Sequence, residues 1–145
     1  MATVTSIVTA IKAVIDTLAD VDQSSISEFV PAITTEKVAA LIVPFEQDST
    51  AQFLDLGGTY LEMSHAIRCE FWVKHTNASA ATTAQRARDI ALSAITALMQ
   101  SDGTGYDLDP EGEFTERVDE IFTVMNDVAF LVVALTIPIR NEVTL

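Results

Sequence analysis

The chain contains an uninterrupted apolar segment at residues 128–139, and this segment restricts the fold more than any other feature. It is rich in β-branched residues, carries no charge and holds Pro138 near its end, a composition that favours a strand over a helix. It is also shorter than the roughly 20 apolar residues that a membrane-spanning helix needs. Strands with one face in water usually alternate between apolar and polar residues. Because this alternation is absent, we expect both faces to be covered, one by the chain's own helices and the other by a second copy.

Apolar residues recur at helical spacing in two other parts of the chain. The first part, residues 3–19, has apolar residues three or four positions apart throughout. The second, residues 84–99, follows a segment rich in Ser and Thr that can cap a helix, and Gly103 lies just beyond its end. The sequence therefore predicts two amphipathic helices, with residues 20–35 as a connector after the first.

Two further segments have the composition of strands. Residues 37–43 form an apolar run that Pro44 ends or places at a sheet edge. Gly57 and Gly58 suit the positive φ angles of a tight turn between residues 52–56 and the strand that follows. These signals predict one isolated strand and one hairpin.

The strand after this turn, residues 59–74, alternates with a period of two. Its odd-numbered residues are mostly apolar and belong to the core, whereas its even-numbered residues include charged and aromatic side chains. Trp72 is either an ordinary partly buried aromatic residue or an interface anchor, and the enrichment of Trp at binding hot spots favours the anchor. The predicted subunit-interface residues are Arg68, Glu70, Trp72, Val128, Phe130 and Val132.

The order of these elements predicts one domain that covers residues 1–145. A helix, a strand, a hairpin into a long strand, a second helix, an acidic loop and a terminal strand follow one another. The expected fold class is α+β, with a mostly antiparallel sheet and two helices packed on one of its faces.

The net charge of −13 argues against nucleic acid as a binding partner. Affinity for nucleic-acid phosphates comes largely from Lys and Arg, of which the chain has only eight. The single Cys69 cannot form an internal disulfide, and the first residues lack the basic and apolar regions of a secretion signal. We therefore expect a protein of a reducing cytoplasm that binds neither nucleic acid nor a membrane.

An acidic segment at residues 107–127 imitates the first half of a calcium-binding loop, with alternating carboxylates before Gly112. The second half does not fit, because Val118 stands where a bidentate glutamate is expected and Pro110 interrupts the loop. A solvated acidic loop is the preferred interpretation. Its candidate contact residues toward other proteins are Asp107, Asp109, Glu111 and Glu113.

The sequence predicts no catalytic, metal-binding or cofactor-binding residues. His65 and His75 lie on one predicted strand, roughly 33 Å apart at the usual strand rise, so they cannot share a metal. Cys69 follows His65 by four residues, too far along a strand for a nucleophile pair, and is interpreted as a buried structural thiol. A nucleophilic serine motif and phosphate-binding glycine motifs are absent from the sequence.

The succession of elements resembles the tail terminator proteins, also called tail-completion or minor tail proteins, of long-tailed bacteriophages. The resemblance covers nearly the whole chain and lies in its pattern. Its elements are the first amphipathic helix, the strand ending at Pro44, the Arg68-x-Glu70-x-Trp72 alternation, the helix at residues 84–99, and Gly105-Tyr106-Asp107 before the acidic residues and the final apolar strand.

The resemblance implies a non-enzymatic virion protein in the tail or neck, assembled in the host cytoplasm. Such a subunit forms a homo-oligomeric ring, commonly a hexamer, that caps the tail tube and stops its polymerisation. Its partners would be the tail tube protein and a head-side neck or connector protein, and DNA would pass through the lumen without specific binding. The alternatives are another head-tail connector or neck adaptor and, less favoured, a calcium-binding interaction module or an enzyme whose site has no sequence signature.

Overall fold

The computed structural model describes residues 3–26, 38–43, 50–53, 57–58, 60–75, 79–118, 123–125 and 128–144. Within these residues the fold is α+β, with two helices and one mixed sheet. The helices are α1 (Val4–Ile15) and α2 (Ala80–Gln100), and the strands are β1 (Val21–Ile26), β2 (Val38–Val43), β3 (Thr50–Phe53), β4 (Tyr60–Lys74), β5 (Asp107–Leu108), β6 (Thr115–Val118), β7 (Thr123–Met125) and β8 (Val128–Thr144). Neither of the two described helices is long and apolar enough to cross a bilayer.

The antiparallel pair β4 and β8 forms the centre of the sheet. The two strands stay in register from Tyr60 opposite Thr144 to Lys74 opposite Phe130. On the outer side of β4 lie β2 and then β3, and β1 pairs in parallel with β2. On the outer side of β8, the short strands β5, β6 and β7 follow one another. Three short strands thus cover most of an edge that would otherwise expose unpaired backbone groups.

Both helices begin with side-chain caps. The Ser6 amide donates to Thr3 Oγ1 at 3.1 Å and the Thr3 amide donates to Ser6 Oγ at 2.9 Å, which forms a capping box for α1. Ser79 caps α2 by accepting a hydrogen bond from the Thr82 amide at 3.2 Å. These contacts satisfy backbone donors that the first helical turn leaves without partners.

One hydrophobic core lies between the helices and one face of the sheet, which we call the core face. The odd-numbered residues of β4 from His65 to Val73 and of β8 from Leu131 to Ile139 occupy this face and are buried. The helices contribute the buried residues Ile7, Val8, Ile11, Ile15, Ala87, Ile90, Ala91, Ala94 and Leu98. Each large aliphatic side chain removed from water in this way contributes about 1.5–3 kcal/mol. The predicted packing of both helices on one face is confirmed.

The boundaries of the predicted elements needed correction. Helix α1 ends at Ile15, α2 begins at Ala80, and β8 continues to Thr144. Strands β3 and β4 pair in antiparallel orientation as the predicted hairpin requires, and Gly58 adopts the expected positive φ of 66°. However, β3 spans Thr50–Phe53 rather than residues 52–56, and Phe53 lies opposite Leu61, so the connection is longer than the predicted tight turn. Pro44 lies outside the described residues, so its predicted role at the end of β2 is not described.

Two predictions about loops were wrong. Residues 21–26, assigned to a connector, form β1, a polar strand whose only fully buried residue is Val21. The acidic segment at residues 107–127, predicted to be a loop, contains β5, β6 and β7. All four lie at edges of the sheet, and they are too short or too little buried to show the alternation of apolar and polar residues that marks a longer half-buried strand.

Candidate functional site

The candidate site is the face of β4, β8 and β6 opposite the helices, which we call the second face. No described helix packs on it. The register places Arg68, Glu70 and Trp72 of β4 beside Thr136, Ala134 and Val132 of β8. Strand β6 extends the face with Thr115 and Arg117, opposite Thr136 and Ala134. The sequence prediction that Arg68, Glu70 and Trp72 share the face opposite the core is confirmed.

A carboxylate links the charged and aromatic side chains of this face. The Trp72 indole Nε1 donates to Glu70 Oε1 at 3.2 Å, and Arg68 Nε lies 3.2 Å from Glu70 Oε2. The Arg68 and Glu70 side chains are 31% and 18% exposed, so solvent screens their attraction only in part. One carboxylate therefore lies between a cation and an indole ring on the sheet surface and contacts both, two residues from each along β4.

The centre of the second face is a trough of about 290 Å³. Val132, Ala134 and Thr136 lie along β8, and Arg68 of β4 and Arg117 of β6 stand on either side of it. Glu70, Thr115 and Glu116 complete the lining. This mixture of apolar surface with charges of both signs can accept a segment of another protein, because it offers both contact area and directional hydrogen bonds.

One end of the second face is closed by aromatic packing. The rings of Trp72 and Phe130 meet edge to face, with centroids 5.9 Å apart and planes at 68°. Phe130 is only 1% exposed and Val132 only 6% in the single chain. They lie on the predicted face, but they are already buried there, so neither is an exposed interface anchor. The side chain of Val128, also predicted at the interface, lies outside the described part of the chain.

The other end of the second face is covered by an acidic turn, which we define as residues 109–113. The Asp109 amide donates to the Pro138 carbonyl at 3.0 Å, and the Gly112 amide donates to the Asp109 carbonyl at 3.1 Å. Asp109 Oδ1 accepts from the Glu111 amide at 3.0 Å, while Oδ2 accepts from Ser64 Oγ at 3.4 Å.

Close packing holds this turn against the sheet. A Cβ atom at Gly112 would lie 2.5 Å from the Cβ of Pro138, so only glycine permits the approach. Of the predicted contact residues, Asp107 lies exposed on β5, Asp109 builds the turn, and Glu111 and Glu113 remain exposed. The expected solvated loop is at this point a hydrogen-bonded turn with two carboxylates free to meet another protein.

Titratable groups outside the second face serve the fold. Burial lowers the pKa of His65 and raises the pKa of the Cys69 thiol, which is fully buried as predicted. His75 Nδ1 lies 3.1 Å from Thr83 Oγ1 beside the start of α2. Among the described residues, no three His, Cys, Asp or Glu side chains lie close enough together to hold a metal ion.

Arg117 and Thr115 were not predicted as site residues from the sequence. They belong to β6, whose four residues sit inside the acidic segment that was predicted as a loop. Thr115–Val118 contains three polar side chains and one apolar one, so it shows no alternation of apolar and polar residues that would separate a strand from a loop.

Comparison with known proteins adds no further assignment. The sequence matches no protein-family model and no curated protein sequence.

Proposed function

We propose that the chain is a non-enzymatic structural subunit of a long-tailed phage, a tail terminator that forms a ring, most simply a hexamer. The ring would sit on the end of the tail tube, stop further polymerisation and offer its other side to the head-side neck protein. It would be assembled in the host cytoplasm and become part of the virion. The order of the helices and strands supports this proposal through its resemblance to that family.

The second face is the single observation that carries the proposal. A ring needs a repeated contact between neighbours, and this face presents a fixed Trp72, the Arg68 and Glu70 pair and an open trough. Tryptophan and arginine are the side chains that most often concentrate binding energy at interfaces. Because Glu70 already contacts both side chains, part of their conformational freedom is lost before association.

The charge supports a passage for DNA. A ring of six copies with a net charge of −13 each would carry a strongly negative potential. DNA phosphates in its lumen would be repelled rather than bound, so the genome could pass without sticking.

The acidic turn supports a contact along the ring axis. Glu111 and Glu113 are exposed on a turn fixed by Asp109, and the turn contains no basic residue. A basic surface on the tube end or on the neck would match it. The same turn favours the second candidate function, a neck adaptor that docks on a head-side ring and leaves tube length unchanged.

The proposal is tested by measuring assembly and tube growth together. Native mass spectrometry over a concentration series should give a closed oligomer, and its addition to polymerising tail tube protein should stop tube growth. Trp72 is the only tryptophan, so its fluorescence should shift to shorter wavelength on assembly. A closed oligomer that binds the portal side and leaves tube length unaffected would establish the adaptor instead. A monomer that never joins a tube or a neck ring would refute both.

A further inference from the structure

The outer side of α2 exposes two large apolar side chains. Leu92 is 61% exposed and Met99 is 59% exposed. They are seven residues apart and therefore lie on the same side of the helix, two turns from each other. Thr96, between them on that side, is exposed as well. Single exposed apolar residues are ordinary, but an aligned pair on one helix side forms a continuous surface.

The stretch of α2 that carries this surface is uncharged. Residues 90–101 contain no charged side chain. The two helices carry four charged residues, Lys12, Arg86, Arg88 and Asp89, in a chain of net charge −13, and two of the cations are already paired, Lys12 with Asp16 at 2.9 Å and Arg88 with Glu116 at 3.3 Å. The helices therefore lack the strong negative charge of the chain as a whole. Two copies of such a chain repel one another at most orientations, and they approach most easily where one of them presents the helices.

A ring built by head-to-tail contacts needs two different surfaces on each subunit. The second face supplies one of them, and the helices lie on the opposite side of the same sheet. We infer that the outer side of α2, centred on Leu92 and Met99, is the surface that the second face of a second copy contacts. This inference rests on the proposed ring and names the surface that completes its repeated contact.

Charge and symmetry favour this pairing over the symmetric ones. Residues 90–101 of α2 carry no charge, so the helix surface can approach the charges of either sign on the second face without repulsion. Second face against second face would bring two acidic turns together. Helix against helix would close a symmetric pair and leave no repeated contact from which a ring could grow. Trp72 and the trough then provide the surface against which Leu92 and Met99 are buried.

Three single substitutions, each adding one carboxylate, test the contact. Leu92→Glu blocks the helix surface, Trp72→Glu blocks the second face, and Ala19→Glu is the control at an exposed turn. Native mass spectrometry measures the dissociation constant of assembly. Leu92→Glu and Trp72→Glu should each raise it at least tenfold, whereas Ala19→Glu should change it less than twofold. Because Trp72 packs on Phe130, Arg117→Glu serves as the second-face variant if Trp72→Glu lowers the melting temperature.

Mixing the variants separates a head-to-tail contact from a symmetric one. Leu92→Glu and the second-face variant each keep one of the two surfaces intact. An equal mixture should therefore form dimers that contain one copy of each variant, and no larger assembly. If Leu92→Glu assembles as the parent does, the inference is wrong and the ring proposal stands. If only Leu92→Glu blocks assembly, or the mixture forms no dimer, the helices meet another surface and the inference is again wrong. A parent chain that never self-associates overturns both.

Discussion

The two faces of the β4 and β8 pair share one backbone and differ in almost every other respect. On the core face, odd-numbered residues from Ile67 to Val73 are apolar or a thiol and at most 1% exposed. On the second face, the even-numbered residues Arg68, Glu70, Trp72 and Lys74 of the same strand are charged or aromatic and only partly buried. A strict period of two lets one strand fill the core on one side and present a different set of side chains on the other. The difference is not uniform, because the second face is closed around Phe130 and open around Arg68.

The largest expected effect tests whether Phe130 belongs with the core. Phe71 on the core face and Phe130 on the second face are 0% and 1% exposed. Phe71→Ala and Phe130→Ala should each lower the free energy of unfolding by about 3–5 kcal/mol, the usual cost of removing a buried aromatic side chain. Urea denaturation followed by circular dichroism measures both. If Phe130→Ala costs less than about 1 kcal/mol and instead weakens assembly, the aromatic end of the second face is an interface after all.

These two faces also show which features of the fold could be predicted from the sequence and which could not. Alternation in β4 predicted both faces correctly, because a long strand with one buried side repeats its signal many times. Strand β8 lacks alternation, and the sequence attributed its second covered side to another copy. In the structure, Phe130 and Val132 are already covered within the single chain, where Trp72 packs on Phe130. A contact between residues 58 positions apart leaves no local pattern.

The missed strands have a different cause. Strand β1 holds mostly polar side chains, and β5, β6 and β7 are between two and four residues long. Their positions are set by hydrogen bonds to β2 and β8 rather than by their own side chains, so composition could not predict them. The trough could not be predicted for the same reason, because Arg117 and Thr115 line it only where β6 pairs with β8.

A smaller effect comes from the one histidine on the core face. Burial lowers the pKa of His65 below its ordinary value of 6.5. Above that value the ring is neutral in both the folded and the unfolded chain, so stability does not depend on it. As the pH falls through 6.5, the unfolded chain binds a proton that the folded chain does not yet bind, and stability decreases.

Urea denaturation at pH 7.5 and 5.8 measures this dependence. His65→Leu should reduce the loss of stability between the two pH values, because it removes the group that the unfolded chain protonates. The control is Ile67→Val, which changes the same core face without removing a titratable group and should keep the full dependence of the parent. An equal loss in the parent and in His65→Leu would mean that the core face tolerates a charged imidazole.

The smallest expected effect concerns Glu70 on the second face. Glu70→Gln keeps an oxygen that accepts from the Trp72 indole and removes the attraction to Arg68. Because both charged side chains are partly exposed, the free energy of unfolding should fall by less than about 1 kcal/mol. Glu70→Ala removes both contacts and should shift the emission of the single tryptophan to longer wavelength, whereas Glu70→Gln should leave it unchanged. A loss above about 2 kcal/mol in Glu70→Gln would mean that the pair behaves as a buried one, and the second face would then resemble the core face in energy as well as in position.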